Sequence, residues 1–256
     1  MHKKAHINIA RALFRRLGLP RDYEKIFVEA IVEPDNWRRR NPRYKHHYLQ
    51  YDNVLDYVKQ ARRAYVNNDI PTCLWRLGIA LHFIQDAFIP SPRTQKLRKI
   101  HASLEGKMES YKSETLSVLN DAINEGFKVS ASSPKFIKRI LSSIQWIYSE
   151  KDLEIVVKTS AMITAAVFGL KYPPSGLPEK YIVLKKSHNK RVLKASFISL
   201  ISIIAGSTLM LFFTTLFAFS FIIFFMVVPC LAYGKIVSSD KEFYEVKEEA
   251  DWYGIR

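Results

Sequence analysis

Apolar positions recur at helical spacing through the first 170 residues, and no β-hairpin signal interrupts them. Residues 7–18 predict a helix closed by Gly18 and Pro20, and residues 23–32 a second one stopped by Pro34. Residues 33–47 read as an irregular, polar and basic segment. Val54, Leu55, Val58, Ala61 and Tyr65 form one apolar face over residues 50–67. Residues 71–88 begin with Pro71, which suits a first helical turn, and end before Pro90 and Pro92. A long polar helix is expected over residues 95–125, and two more over 134–149 and 152–169, the last closed by Gly169. This part of the chain reads as all-α.

The pattern changes after Gly169. Residues 171–194 contain three prolines and Gly176, followed by a basic cluster. From Ala195 to Gly234, 40 residues pass without an Asp, Glu, Lys, Arg or His. A charge-free run beyond about 18 residues reads as membrane-spanning. As one helix it would be about 60 Å long, against a hydrocarbon core of about 30 Å. Two short spans with a turn near Thr214–Ser220 therefore fit better than one straight helix; one span with an interfacial piece and a buried soluble hairpin are the alternatives. The expected organisation is a compact multi-helix domain (1–178), a basic juxtamembrane linker (179–194), a transmembrane helical hairpin (195–234) and a charged tail (235–256).

Charge sharpens this division. The net charge is +15, from 39 Lys and Arg against 24 Asp and Glu. Residues 179–194 hold six basic groups and one acid, whereas residues 235–256 hold four basic groups and six acids, so the basic excess ends at the apolar run. An anionic lipid surface is the expected partner for such a field. Nucleic acid is the weaker candidate, because zinc-finger spacing and RNA-binding aromatic motifs are missing from the sequence. Basic residues on both edges of the run, Lys185 to Lys194 before it and Lys235 after it, place both flanks on the cytoplasmic side of a cell membrane. The N-terminus lacks the apolar core of a cleaved signal peptide, since Arg11, Arg15 and Arg16 interrupt it. Two cysteines, Cys73 and Cys230, are too few for a disulfide framework.

Six of the seven histidines lie in the first 101 residues. His82 and Asp86 stand four apart within the apolar segment, and His101 and Glu105 repeat that spacing. Positions i and i+4 share a helix face, so each pair is able to grip one ion through imidazole nitrogen and carboxylate oxygen, donors that suit zinc. The alternative for His82 is a satisfied core histidine, and for each pair a helix-stabilising contact. His46, His47 and Asp35 are further candidates, although Asp35 equally suits a turn cap after Pro34.

In this order the elements resemble the zinc-dependent phospholipase C family, which is related to the S1/P1 nucleases. The family's His-x3-Asp is matched by His82 and Asp86 in ALHFIQDAFIP, and its His-x3-Glu by His101 and Glu105 in HASLE. His6 in AHINIARAL matches an N-terminal family histidine, Asp35 in EPDNW a family aspartate, and His47 in HHY a histidine before an aromatic residue, with His46 as the alternative. The resemblance covers roughly residues 5–170. It implies a compact helical fold with one to three zinc ions: Asp35, His47, His82 and Asp86 around one, His101 and Glu105 on a second, and His6 with Asp86 and the N-terminus around a third. It departs from the family at Pro92, where another histidine usually follows the signature aspartate, and at the N-terminal residue, where Met1 or His2 stands in place of a processed ligand.

The resemblance implies metal-dependent phosphodiester hydrolysis, with membrane phospholipid as substrate and Asp35 orienting the attacking water or acting as base. Arg38, Arg39, Arg40, Arg43 and Lys45 are candidates for attracting an anionic headgroup, or form a solvated surface. Two alternatives stand beside it: a single-strand nuclease, for which Trp37, Tyr44 and Tyr48 are candidate stacking platforms, and a non-catalytic membrane-associated protein with a degenerate metal site.

Overall fold

The computed structural model describes residues 3–40, 51–91, 93–110, 116–128, 131–212, 231, 233–235 and 240–255. Among them every regular element is helical. The helices are α1 (Lys3–Leu17), α2 (Asp22–Arg40), α3 (Tyr51–Val66), α4 (Ile70–Phe88), α5 (Gln95–Ser110), α6 (Leu116–Phe127), α7 (Pro134–Ser142), α8 (Leu153–Val167), α9 (Leu177–Phe212) and α10 (Lys241–Trp252), with a 3-10 turn at Glu150–Asp152.

Two units are distinguished: residues 1–172 with Trp252–Gly254, and residues 173–251 with Ile255–Arg256. The first holds the core. Helix α4 lies at its centre, and almost every residue from Cys73 to Phe88 is buried. Its start is built locally: Asp69 accepts from the Thr72 backbone N–H at 3.1 Å, and Pro71 occupies the first turn. Its end is equally local, because Ile89 is extended before Pro90. Gly78 lets α2 approach closely. A Cβ there would lie 2.6 Å from the Ala30 Cβ and 3.0 Å from the Ile31 backbone nitrogen.

Buried Arg62 on α3 closes the opposite part of this unit. Its Nη1 donates to the carbonyls of Val167 (2.8 Å) and Gly169 (2.9 Å), its Nη2 to Leu170, and its Nε to Trp252 (3.2 Å). The rings of Tyr65, Trp252 and Tyr253 surround the guanidinium. A cation so placed satisfies carbonyls that the end of α8 leaves without intrahelical donors. Burial lowers the guanidinium pKa from its ordinary value.

Several sequence expectations need correction. Helix α2 does not stop at Pro34 but runs on to Arg40. Proline removes one ladder bond and crowds one carbonyl; side-chain bonds across the next turn, from Asn36 Nδ2 and Trp37 Nε1 to Glu33, both at 2.9 Å, favour continuation without replacing that bond. Asp35 is accordingly a helical residue and not a turn cap. The long helix expected over 95–125 is matched by α5 and α6 on either side of residues 111–115, which lie outside the described residues. The helix expected over 134–149 ends at Ser142, and residues 144–148 are irregular, with Ile147 donating to the Phe88 carbonyl at 2.9 Å.

In the second unit, residues 179–194, expected as a basic juxtamembrane linker, contain no Gly or Pro and lie inside α9. The tail contains α10. Lys180 pairs with Glu242 at 2.9 Å, Tyr181 stacks on Phe243, and the buried carboxylate of Asp240 pairs with Arg191 and meets His188 Nδ1 at 2.6 Å. Among the described residues no helix is long and apolar enough to cross a membrane. Of the hairpin expected over 195–234, residues 213–230 and 232 lie outside them, including the turn at 214–220.

Candidate metal centre

Helix periodicity puts His82 and Asp86 on one face of α4, and the packing of α1 and α2 against α4 brings His6 and Asp35 to it. His6, His82 and Asp86 are completely buried. The His6 and His82 rings stack with centroids 4.2 Å apart and an interplanar angle of 26°. His6 Nε2 lies 3.2 Å from Asp86 Oδ1, and His82 Nε2 lies 3.5 Å from Asp86 Oδ2 and 4.0 Å from Asp35 Oδ1. One donor atom from each of His6, His82 and Asp86 falls within 4.8 Å of the others.

The other ring nitrogens explain this orientation. His82 Nδ1 is 2.7 Å from the Ile31 carbonyl, and His6 Nδ1 is 2.7 Å from Gln85 Oε1. A carbonyl oxygen only accepts, so Nδ1 carries the hydrogen and a neutral ring directs an Nε2 lone pair at the carboxylate. Buried lone pairs facing carboxylate oxygens repel unless a cation lies among them. His6 Nε2, buried, makes no hydrogen bond among the described residues. Burial and the neighbouring His6 push the His82 pKa well below 6.5, against the opposing pull of Asp86. Nitrogen and oxygen donors converging in this way fit zinc.

The pair on α5 is separate and more open. His101 Nδ1 is 3.0 Å from the Pro90 carbonyl, and Nε2 is 3.2 Å from Glu105 Oε2. The hydrogen bond to Glu105 raises the His101 pKa above 6.5. His46 and His47 lie outside the described residues, as do His2 and Pro92.

Sequence reasoning missed the support behind these side chains. Gln85 Nε2 donates to Ser160 Oγ at 3.2 Å, and Trp37 packs on Phe83 beside His82 with ring centroids 6.3 Å apart. The available signal was a polar amide inside an otherwise apolar helix, next to the signature aspartate. The Ile31 carbonyl carried none, because backbone acceptors have no sequence mark.

Buried, preoriented histidines around a carboxylate in a helical domain make a candidate metal centre. The family of zinc dependent phospholipase C matches residues 5–154, and the chain belongs to it. It is therefore a zinc-dependent, phospholipase C-like phosphodiester hydrolase. No curated protein and no solved structure gives a significant match.

Proposed function

We propose that the chain hydrolyses the phosphodiester of membrane phospholipids, with Asp35, His47, His82 and Asp86 holding one zinc ion, His101 and Glu105 a second, and His6 sharing Asp86 with a third. The observation that carries this reading is the convergence of His6 and His82 Nε2 on one buried carboxylate. When bound there, zinc polarises a phosphoryl oxygen and lowers the pKa of a water ligand. Ile31 and Gln85 hold the imidazoles of His82 and His6 in the orientation that leaves Nε2 available. Asp35 is the least buried carboxylate around His82, its side chain 23% exposed, which suits it to orient water and take its proton.

A second reading, cleavage of single-stranded nucleic acid, draws on Trp146 and Tyr148, which are 39% and 57% exposed in the segment preceding the 3-10 turn. The glutamate that opens this turn accepts from Ser103 on α5, at 2.7 Å between Ser103 Oγ and Glu150 Oε1. Exposed aromatic rings near a phosphodiester site can stack bases. Zinc-loaded full-length protein is assayed on phosphatidylcholine and phosphatidylglycerol vesicles and on single-stranded DNA. Release of diacylglycerol is the expected result; cleavage of DNA without lipid turnover reverses the assignment, and turnover of neither substrate by metal-loaded protein favours a non-catalytic role.

The proposal includes a membrane hairpin over 195–234 with the catalytic domain on the cytoplasmic side. Phe197, Ile198, Ile201 and Ile204 are exposed on α9, and water is a poor solvent for such a surface. The pairing of Asp240 with both His188 and Arg191 supports an out-and-back path for the intervening chain, its two ends on one side. Cysteine-accessibility labelling at 185–190 and 241–247 in intact and permeabilised cells tests it. Labelling of both sites only after permeabilisation is expected, and labelling of either in intact cells overturns this topology.

A further inference from the structure

We infer that Gln85 and Ser160 are positioning residues that dictate which nitrogen of His6 is presented to the metal, an inference resting on the reading of His6 as a ligand. The three described histidines of the site are not oriented in the same way. His82 and His101 direct Nδ1 at backbone carbonyls, those of Ile31 and Pro90, which have no alternative role as donors. His6 directs Nδ1 at a side-chain amide. An amide is reversible: turned by 180°, it presents NH2 in place of oxygen at nearly unchanged shape. A reversed Gln85 would donate to His6 Nδ1, move the ring hydrogen to Nε2 and cap the atom that faces Asp86.

The structure contains the device that prevents this reversal. Ser160 Oγ lies 2.8 Å from the Val156 carbonyl, an obligate acceptor, so the hydroxyl hydrogen is committed there. Ser160 Oγ then has only lone pairs for Gln85 at 3.2 Å, which requires the amide nitrogen on that side. The amide oxygen consequently faces His6 Nδ1 at 2.7 Å. Direction passes from a backbone carbonyl of α8, through α8 and α4 side chains, to an imidazole of α1. His6, Gln85 and Ser160 are all completely buried, so water does not compete for these bonds.

The test measures the His6 tautomer by two-bond 15N–1H correlation in full-length metal-free protein, and zinc affinity by chelator competition, in wild type, Gln85→Leu, Ser160→Ala and Ser160→Thr. Wild type is expected to hold the hydrogen on Nδ1. Gln85→Leu removes the acceptor and Ser160→Ala releases the amide; both should populate the Nε2–H tautomer and weaken zinc binding by about 10–100-fold. Ser160→Thr keeps a hydroxyl able to bond the Val156 carbonyl and should restore the wild-type tautomer and affinity to within a few-fold. A wild-type tautomer in both Gln85→Leu and Ser160→Ala, with zinc affinity unchanged, overturns the relay while leaving the metal site standing. Zinc stoichiometry that ignores His6→Ala overturns instead the reading of His6 as a ligand, and the metal-free tautomer still reports on the relay. Ser160→Ala deletes a single oxygen and serves where Gln85→Leu does not fold.

Discussion

His6 and His82, 76 positions apart in the chain, lie ring on ring at 4.2 Å and direct Nε2 at opposite oxygens of the same Asp86 carboxylate. Burial and the neighbouring His6 hold the His82 pKa well below 6.5, and both rings turn Nε2 toward the carboxylate. A divalent cation resolves that arrangement.

Chelation should therefore destabilise the protein, since a ligand that binds only the folded state adds stability. Removing zinc is expected to lower Tm, and His82→Ala should lower the zinc stoichiometry and abolish most of the stabilisation by added zinc. Atomic absorption and thermal melts check both, and a variant with full metal content would remove His82 from the site.

In metal-free protein, His82 gives stability a defined pH dependence. Its folded pKa lies well below the unfolded value of 6.5, so the unfolded chain binds the proton more readily. Its contribution is complete above about 6.5 and falls as pH drops below that value. His101 acts in the opposite sense: its raised folded pKa contributes stability below 6.5 that is lost as pH rises through the folded value. Denaturation across pH 5–8 in His101→Asn should retain only the acid-side loss.

Gly78→Ala should weaken both fold and site. The added Cβ meets the Ala30 Cβ and Ile31 nitrogen at 2.6 and 3.0 Å, and the obstacles are a helix backbone and a methyl stem. Overpacking of this kind costs about 1–3 kcal/mol. Because Ile31 and Asp35 move with α2, zinc affinity should fall as well, whereas Gly106→Ala, in open space, should leave both unchanged.

Arg62→Met should cost at least about 2 kcal/mol, because the hydrogen bonds of a buried cation to four carbonyls are lost and those of Val167 and Trp252 belong to buried residues. The loss should appear in urea denaturation, and cleavage by protease near Trp252–Gly254 should accelerate.

Asp240→Ala should loosen the pairing of α10 with α9, since the one carboxylate meets both His188 and Arg191. Faster amide exchange in Lys241–Asp251 is expected. Unchanged exchange would show that Tyr181, Phe243 and the Lys180–Glu242 pair hold α10 without it.

Much of this protein is legible in its sequence because the controlling interactions are local. Apolar spacing of 3.6 locates α1, α3, α4 and α8; Asp69 and Pro71 start α4 and Pro90 ends it; and the i,i+4 geometry puts His82 with Asp86 and His101 with Glu105 before any tertiary contact exists. The continuation of α2 through Pro34 was not legible, because Glu33 binds Asn36 and Trp37 across the next turn, and a helix-breaking rule counts only the backbone. The stacking of His6 on His82 was not legible either, nor the choice of Nδ1 as donor. Those depend on an Ile31 carbonyl and on a Gln85–Ser160 contact spanning 75 positions, brought together by packing of α1, α2 and α8 around α4. The sequence by itself determined which donors exist and which pairs share a helix face. Only the tertiary structure decided which atoms of those donors face one another, because side-chain direction is set by acceptors that lie elsewhere in the chain.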